Sequence, residues 1–210
     1  MKLLILGVTG SGGLALLQEA LTRGHTVTAA ARQTEYFHPV GNATVVAADA
    51  LDAGIVNQIK GHDAVIVAVS GRKSGHETFV KVANNLLTAL PAAGVSRLLW
   101  VGGAGSLEVA PGVRLVDTPQ FPTIYKDEAL AQAAALDLLR QSNTAINWTY
   151  ISPPAMIGPG GRSGKYRTGG DQLLTDASGV STISWADFAV ALVDVLEKNS
   201  HPKTRITVAY

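Results

Sequence analysis

Short apolar runs alternate with longer amphipathic stretches along nearly the whole chain. Lys2–Leu6 is an apolar run closed by glycine, and Ser11–Arg23, rich in Leu and Ala, reads as the helix that follows. His25–Ala31 is the second predicted strand, with Gly24 as the helix stop before it. Ala43–Ala48 is the third strand and Leu51–Lys60 a short helix. Ala64–Val69 is unbroken apolar sequence with three valines, the pattern of a central parallel strand buried on both faces.

The alternation continues with a helix over His76–Ala93, closed by Gly94, in which Pro91 kinks the last turns or ends them early. Leu98–Val101 is the next strand and leads into a glycine-rich turn. A loop carrying Pro111, Pro119 and Pro122 then enters the helix Asp127–Gln141. Ile146–Ser152 reads as a sixth strand, stopped by Pro153 and Pro154. Residues 158–170 hold six glycines and no helical period, so an ordered loop or small lobe is expected there. Trp185–Lys198 is the last helix and Arg205–Ala209 the last strand, expected at a sheet edge.

Strands that alternate with helices call for a parallel sheet, because each parallel crossover needs a helix-length connection. The expected fold is α/β, a doubly wound parallel sheet with helices on both faces. One domain spans 1–210, and 151–183 supplies a small substrate-side loop region. Past residue 150 only 60 residues remain, too few for a substantial second domain.

Composition narrows the partners. The chain is 47% hydrophobic and 16% charged, with 17 basic and 16 acidic residues and a net charge of +1. There is no electrostatic case for nucleic acid or an anionic membrane as partner. The absence of cysteine excludes disulfides, thiolate zinc sites and a cysteine nucleophile, and fits a cytoplasmic location. The opening Met1–Leu6 superficially resembles a secretion signal, but glycines at 7, 10, 12 and 13 interrupt it, and a buried first strand is expected. No apolar stretch approaches the ~20 residues of a membrane-spanning helix. The five histidines lack metal-ligand spacing, no metal is expected, and Gly-x-Ser-x-Gly occurs nowhere.

The chemistry begins at the first strand–helix turn, Gly7-Val8-Thr9-Gly10-Ser11-Gly12-Gly13. Glycines at 7, 10 and 13 permit a tight turn, close approach of a diphosphate to the backbone, and close packing of helix on strand. The helix N-terminus adds unpaired N–H donors and a favourable dipole, and Thr9 and Ser11 add hydroxyls. The position in a strand–turn–helix unit points to a dinucleotide and hence to a Rossmann-type fold. A purely conformational turn is the alternative.

The second strand ends in Arg32, where an NAD-selective site usually carries a carboxylate for the ribose 2′-hydroxyl. A guanidinium matches a 2′-phosphate, which favours NADPH over NADH; a solvated strand-end arginine is the other reading. Asp49 either hydrogen-bonds the adenine amino group or caps the helix after it. Ser70 and Gly71 follow the fourth strand, and Gly102, Gly103 and Ala104 the fifth. All lie beyond carboxyl ends of strands, where ligands of open parallel sheets sit.

With these residues in place, the chain resembles the atypical short-chain dehydrogenase/reductase group. Within it, the likeness is to the provisionally named NADH-flavin reductases, relatives of the NADPH-dependent flavin (biliverdin) reductases. The resemblance spans nearly the whole chain and rests on several segments. These are Gly7–Gly13, Gly61–Ile66, Tyr125-Lys126, Asn147–Pro154, Gly164–Arg167 and Ser184–Ala189. It implies NAD(P)H binding and a flavin- or quinone-like acceptor.

Alcohol-forming members of the wider superfamily use a tyrosine with a lysine four residues on. Here Tyr125 is followed by Ala129 and Tyr150 by Pro154. Reducing a ketone leaves an alkoxide that demands a placed proton donor. A flavin spreads the charge through its rings and takes its proton from solvent, so elimination favours such an acceptor. Tyr125 and Lys126 are the candidate polar groups beside the nicotinamide, with a solvated first-turn lysine as the alternative. Pro153, Pro154 and Ala155 are expected to shape the pocket wall. Arg162, Lys165, Tyr166 and Arg167 either grip a phosphate or carboxylate of the substrate or form an exposed basic loop. Trp100, Trp148 and Trp185 are expected to pack in the core. Two other functions compete with a flavin reductase: a non-catalytic NAD(P) redox sensor similar to NmrA-like regulators, and epimerase or dehydratase chemistry on nucleotide sugars.

Overall fold

The computed structural model describes residues 1–35, 37–38, 40–71 and 77–210. Its main sheet has eight strands. In chain order these are β1 (Lys2–Leu6), β2 (Thr26–Ala31), β3 (Thr44–Ala47), β4 (Ala64–Val67), β5 (Arg97–Val101), β8 (Asn147–Ser152), β10 (Arg167–Gly169) and β12 (Thr204–Ala209). The spatial order is β10-β12-β8-β5-β4-β1-β2-β3. All pairings are parallel except β10 with β12. The chain thus winds outward from β1 in both directions, the doubly wound Rossmann order.

Alternation along the strands builds two cores. Leu4, Leu6, Val65, Val67, Leu98, Trp100, Trp148 and Tyr150 face one side, beneath α2 (Ile55–Ile59), α3 (Thr78–Ala92) and α4 (Lys126–Gln141). Leu3, Ile5, Ala64, Ile66, Leu99 and Ile151 face the other, beneath α1 (Ser11–Thr22) and α5 (Trp185–Glu197). Both faces are covered, which is why β4 is buried at every position.

Three departures from the sequence reading have local causes. The helix expected from Leu51 starts only at Ile55. Asp49 and Asp52 accept from the N–H groups of Leu51 and Gly54 at 2.9 and 2.8 Å, which commits the first residues to side-chain turns instead of helix. The last strand is not at the edge. The glycine-rich segment supplies β10, which pairs antiparallel with β12 through Arg167↔Ala209 and Gly169↔Thr207, so β10 and β3 are the edges. Small two-stranded elements also form where loop was expected: β6 (Glu108–Ala110) with β7 (Val113–Arg114), and β9 (Met156–Gly158) with β11 (Thr182–Ser184). His76, the expected start of the third helix, lies outside the described residues. Pro91 stands one residue before that helix ends.

Candidate functional site

The strand order reverses at β1, which has β2 on one side and β4 on the other. A cleft of about 260 Å³ opens there beyond the carboxyl ends, bordered by Gly7, Thr9, Gly10, Arg32, Asp49 and Ser70. Its walls are small and apolar: Ala30, Ala31, Ala48, Ala50, Val69 and Val82. Six residues chosen from four separate segments of the sequence therefore meet in one place.

The glycines of the first turn answer to different constraints. Gly7 has φ +91°, and a Cβ there would stand 2.5 Å from the Ala68 carbonyl oxygen. A Cβ on Gly13 would stand 2.2 Å from the Gly7 carbonyl oxygen. Both are therefore glycine because the protein's own backbone leaves no room. Gly10 is unlike them. Its φ of −85° and ψ of 159° suit any residue, and among the described residues a Cβ would meet only the Gly7 oxygen at 3.7 Å. It also occupies the N-cap of α1 without a side-chain cap bond, where Ser, Asn or Asp would serve the helix better. Among the described residues, nothing within the protein requires glycine at position 10.

Arg32 is exposed at the end of β2 and lines the cleft, as Asp49 does after β3. One Asp49 oxygen accepts from the Leu51 N–H, so the carboxylate shapes its own turn while bordering the cleft. Ser70, after β4, donates to Glu128 at 3.3 Å and ties the cleft rim to the first turn of α4. Gly71 beside it is buried. Ser11 is exposed, and Gly12 packs beneath an indole.

The turn after β5 is held from below. A Cβ on Gly102 would lie 2.0 Å from the Tyr150 ring, so glycine here makes space for that side chain. The Tyr150 hydroxyl accepts from the Gly103 N–H at 3.1 Å and donates to Gln132. Gln132 accepts in turn from the Trp100 indole at 3.1 Å. Burial pushes the Tyr150 hydroxyl well above the ordinary phenol range, so it is a neutral structural donor. The amide of Gly103 is thus engaged within the protein, while Ala104, partly buried, accepts from Leu107.

Tyr125 and Lys126 stand exposed at the start of α4, on the same turn as Glu128 and outside the lining of the cleft. Pro153 and Pro154 are buried beyond β8. Ala155 is exposed, and its N–H donates to Ser181. The basic segment after residue 160 binds inward. Arg162 forms two bonds to Glu19, at 2.7 and 2.8 Å, and this pairing, opposed by burial, holds the Glu19 carboxyl below its usual range. Tyr166 donates to Asp194, and Arg167 to the carbonyls of Thr175 and Tyr210. Lys165, Arg162 and Arg167 are all exposed, but Arg162, Tyr166 and Arg167 also brace the loop against α1, α5 and the chain end.

Sequence reasoning missed the residue that organises this loop. Asp187 is fully buried, yet accepts from the N–H groups of Ser163 and Gly164, the Ser163 hydroxyl and the Tyr210 hydroxyl, at 2.7–2.8 Å. Burial alone would raise its pKa; these donors outweigh it and lower it. A signal was present, since Ser184 and Asp187 have the spacing of a capping box, and the Ser184 hydroxyl does accept from the Asp187 N–H at 3.0 Å. Gln132 and Tyr150 gave no such sign.

Among the described residues, no group of His, Asp or Glu is placed to hold a metal ion, and no helix is long and apolar enough to cross a membrane.

Relatives share this frame over their whole length. YwnB of Bacillus subtilis (strain 168), itself uncharacterised, is 38% identical over 99% of this chain and 98% of its own. A Streptococcus pneumoniae protein provisionally named an NADH-flavin reductase is 38% identical, with a TM-score of 0.89 over 100% of this chain and 99% of that one. A Bacteroides thetaiotaomicron protein provisionally named an epimerase is 37% identical, with a TM-score of 0.91 over 100% and 96% of the two chains. A single family model covers residues 7–199, from the glycine turn through the end of α5, and the chain belongs to the NAD(P)H-binding family that it describes.

Proposed function

We propose that this protein is an NADPH-dependent reductase that passes hydride to a flavin or quinone-like acceptor. The observation that carries the cofactor half is Gly10, a glycine that the fold does not need, at the N-cap of a helix aimed into a cleft at the strand-order reversal. A missing Cβ there lets a diphosphate reach the first-turn N–H groups of α1, which have no acceptor within the helix. The cleft is smaller than the roughly 300–1,000 Å³ of a complete small-molecule pocket. It suits the adenosine half, with the remainder of the dinucleotide lying across the open carboxyl ends of β4 and β5.

In this arrangement Arg32 pairs with the 2′-phosphate, and the second Asp49 oxygen accepts from the adenine amino group. Tyr150 and Gln132 hold the β5 turn still beneath the nicotinamide. Pro153 and Pro154 form a rigid wall, with Tyr125 and Lys126 at the open side. Bound NADPH would supply two electrons and one proton together, as hydride. Among the described residues, none is placed as an enclosed proton donor, so an acceptor whose reduced form delocalises charge and takes its proton from water fits best. The name of the pneumococcal relative agrees with this choice, and that of the Bacteroides relative does not. With no cysteine to protect or pair, we place the protein in the cytoplasm.

The test is steady-state oxidation of NADPH and NADH with FMN, riboflavin and a series of quinones. Acceptor-dependent turnover, faster with NADPH, is expected. Dinucleotide binding without turnover on any acceptor would refute the reductase. It would leave the sensor reading, which the exposure of Tyr125 and Lys126 also favours. A protein partner captured in a manner that depends on the NADP⁺/NADPH ratio would then support that reading.

A further inference from the structure

We infer that Trp185 is a positioning residue for the dinucleotide: its indole, seated on Gly12, sets the geometry of the phosphate-binding turn. The inference rests on the reading that this turn binds the diphosphate.

Gly12 and Trp185 explain one another. Gly12 lies in the first turn of α1 and has no positive φ, so helical backbone does not call for glycine. A Cβ there would meet the six-membered ring of Trp185 at 2.8 Å (Cζ3), 3.3 Å (Cε3) and 3.4 Å (Cη2). The ring therefore lies directly over the Gly12 Cα, on the residue whose N–H is among the unpaired donors of the turn.

Trp185 is also held in place itself. It opens α5 directly after Ser184, whose hydroxyl accepts from Asp187 and donates to the Gly161 carbonyl at 2.9 Å. Its ring stands edge-on to Phe188, with centroids 6.0 Å apart and planes at 84°. Asp187, two residues on, anchors the 163–164 backbone and the Tyr210 hydroxyl. A rigid aromatic fixed on one helix thus presses on the cofactor turn of another. Setting the donors before the ligand arrives lowers the ordering cost of binding.

Its surroundings distinguish it from the other two tryptophans. Trp100 and Trp148 are buried in the core beneath α3 and α4. Trp185 is half-buried and borders an open groove with Ser11, Leu14, Pro159 and Gly160. Core filling alone does not require an indole at such a place.

The experiment titrates NADP⁺ calorimetrically into the full-length protein and into W185A, W185F, G12A and G12A/W185A, with thermal melts alongside. W185A should bind about tenfold more weakly, W185F within about threefold of the parent, and G12A/W185A more tightly than G12A, because removing the ring relieves the clash. Iodide quenching supplies a second reading, since Trp185 is the most accessible indole. Saturating NADP⁺ should change its emission and its quenching. W185F and the emission readout hold if W185A does not fold. Unchanged affinity in W185A, a G12A/W185A protein that binds no more tightly than G12A, or unchanged Trp185 emission, with the parent protein binding NADP⁺, overturns the positioning role alone. A parent protein that binds no dinucleotide overturns both this role and the cofactor reading beneath it.

Discussion

Gly10→Ala separates the demands of a ligand from those of the fold. The backbone at position 10 already has a conformation that alanine adopts freely, and among the described residues the added methyl would meet nothing closer than 3.7 Å. Alanine is a poorer N-cap than glycine, a cost of about 0.5–1 kcal/mol. The loss of unfolded-chain entropy offsets about 0.4–1 kcal/mol of that. The melting temperature should therefore stay within about 2–4 °C of the parent, the shift that roughly 1 kcal/mol produces in a chain of this size. A diphosphate held off the α1 amides by that methyl would lose at least one charge-assisted hydrogen bond, about 1.5–3 kcal/mol. Calorimetric titration should then show the Kd for NADPH rising about ten- to hundredfold. Gly13→Ala supplies the contrast. Its methyl would sit 2.2 Å from the Gly7 oxygen, and only backbone movement can relieve that. Overpacking of about 3 kcal/mol lowers the melting temperature by about 6–12 °C. A Gly10→Ala protein that melts normally and binds NADPH as tightly as the parent would refute the reasoning.

Three further outcomes follow from the same geometry. Arg32→Ala should weaken NADPH about tenfold and leave NADH nearly unchanged, read by parallel titrations of both; equal loss for both would detach Arg32 from the 2′-phosphate. Tyr150→Phe leaves the partly buried Gly103 N–H without its acceptor and should cost about 1–3 kcal/mol in denaturant unfolding, with an unchanged m-value. Asp187 has a folded pKa below its unfolded value of about 3.9, so its contribution is complete above that pH and is lost as pH falls through the folded value. Asp187→Asn should therefore lower the melting temperature at neutral pH, and the gap to the parent should narrow on acidification below about pH 4; a gap independent of pH would contradict the assignment.

The parts of this protein legible in its sequence are those written in local periodicity. β1, the glycine turn and α1 could be read because a strand buried on both faces has few polar positions and the turn's glycines follow within seven residues. The meeting of Gly10, Arg32, Asp49 and Ser70 in one cleft follows from parallel strands delivering their carboxyl ends to the same side. What stayed hidden depends on contacts between distant segments. The β12 strand carries no mark that β10 will cover it, since β10 arises from a glycine-rich stretch without period. Gly102 looked like a ligand-facing glycine, but its space belongs to the Tyr150 ring from the neighbouring strand. Arg162 and Tyr166 carry no sequence mark of their partners Glu19 and Asp194, which come from other elements of the chain. Trp185 was expected in the core, and its contact with Gly12 joins the two ends of the chain.

The most direct test of the account is a crystal structure of the protein grown with NADPH. The diphosphate should lie over Gly10, with its oxygens about 2.7–2.9 Å from N–H groups of the first turn of α1. Adenine should fill the cleft beside Asp49. A dinucleotide found elsewhere on the molecule, with the α1 N-terminus facing only solvent, would contradict it.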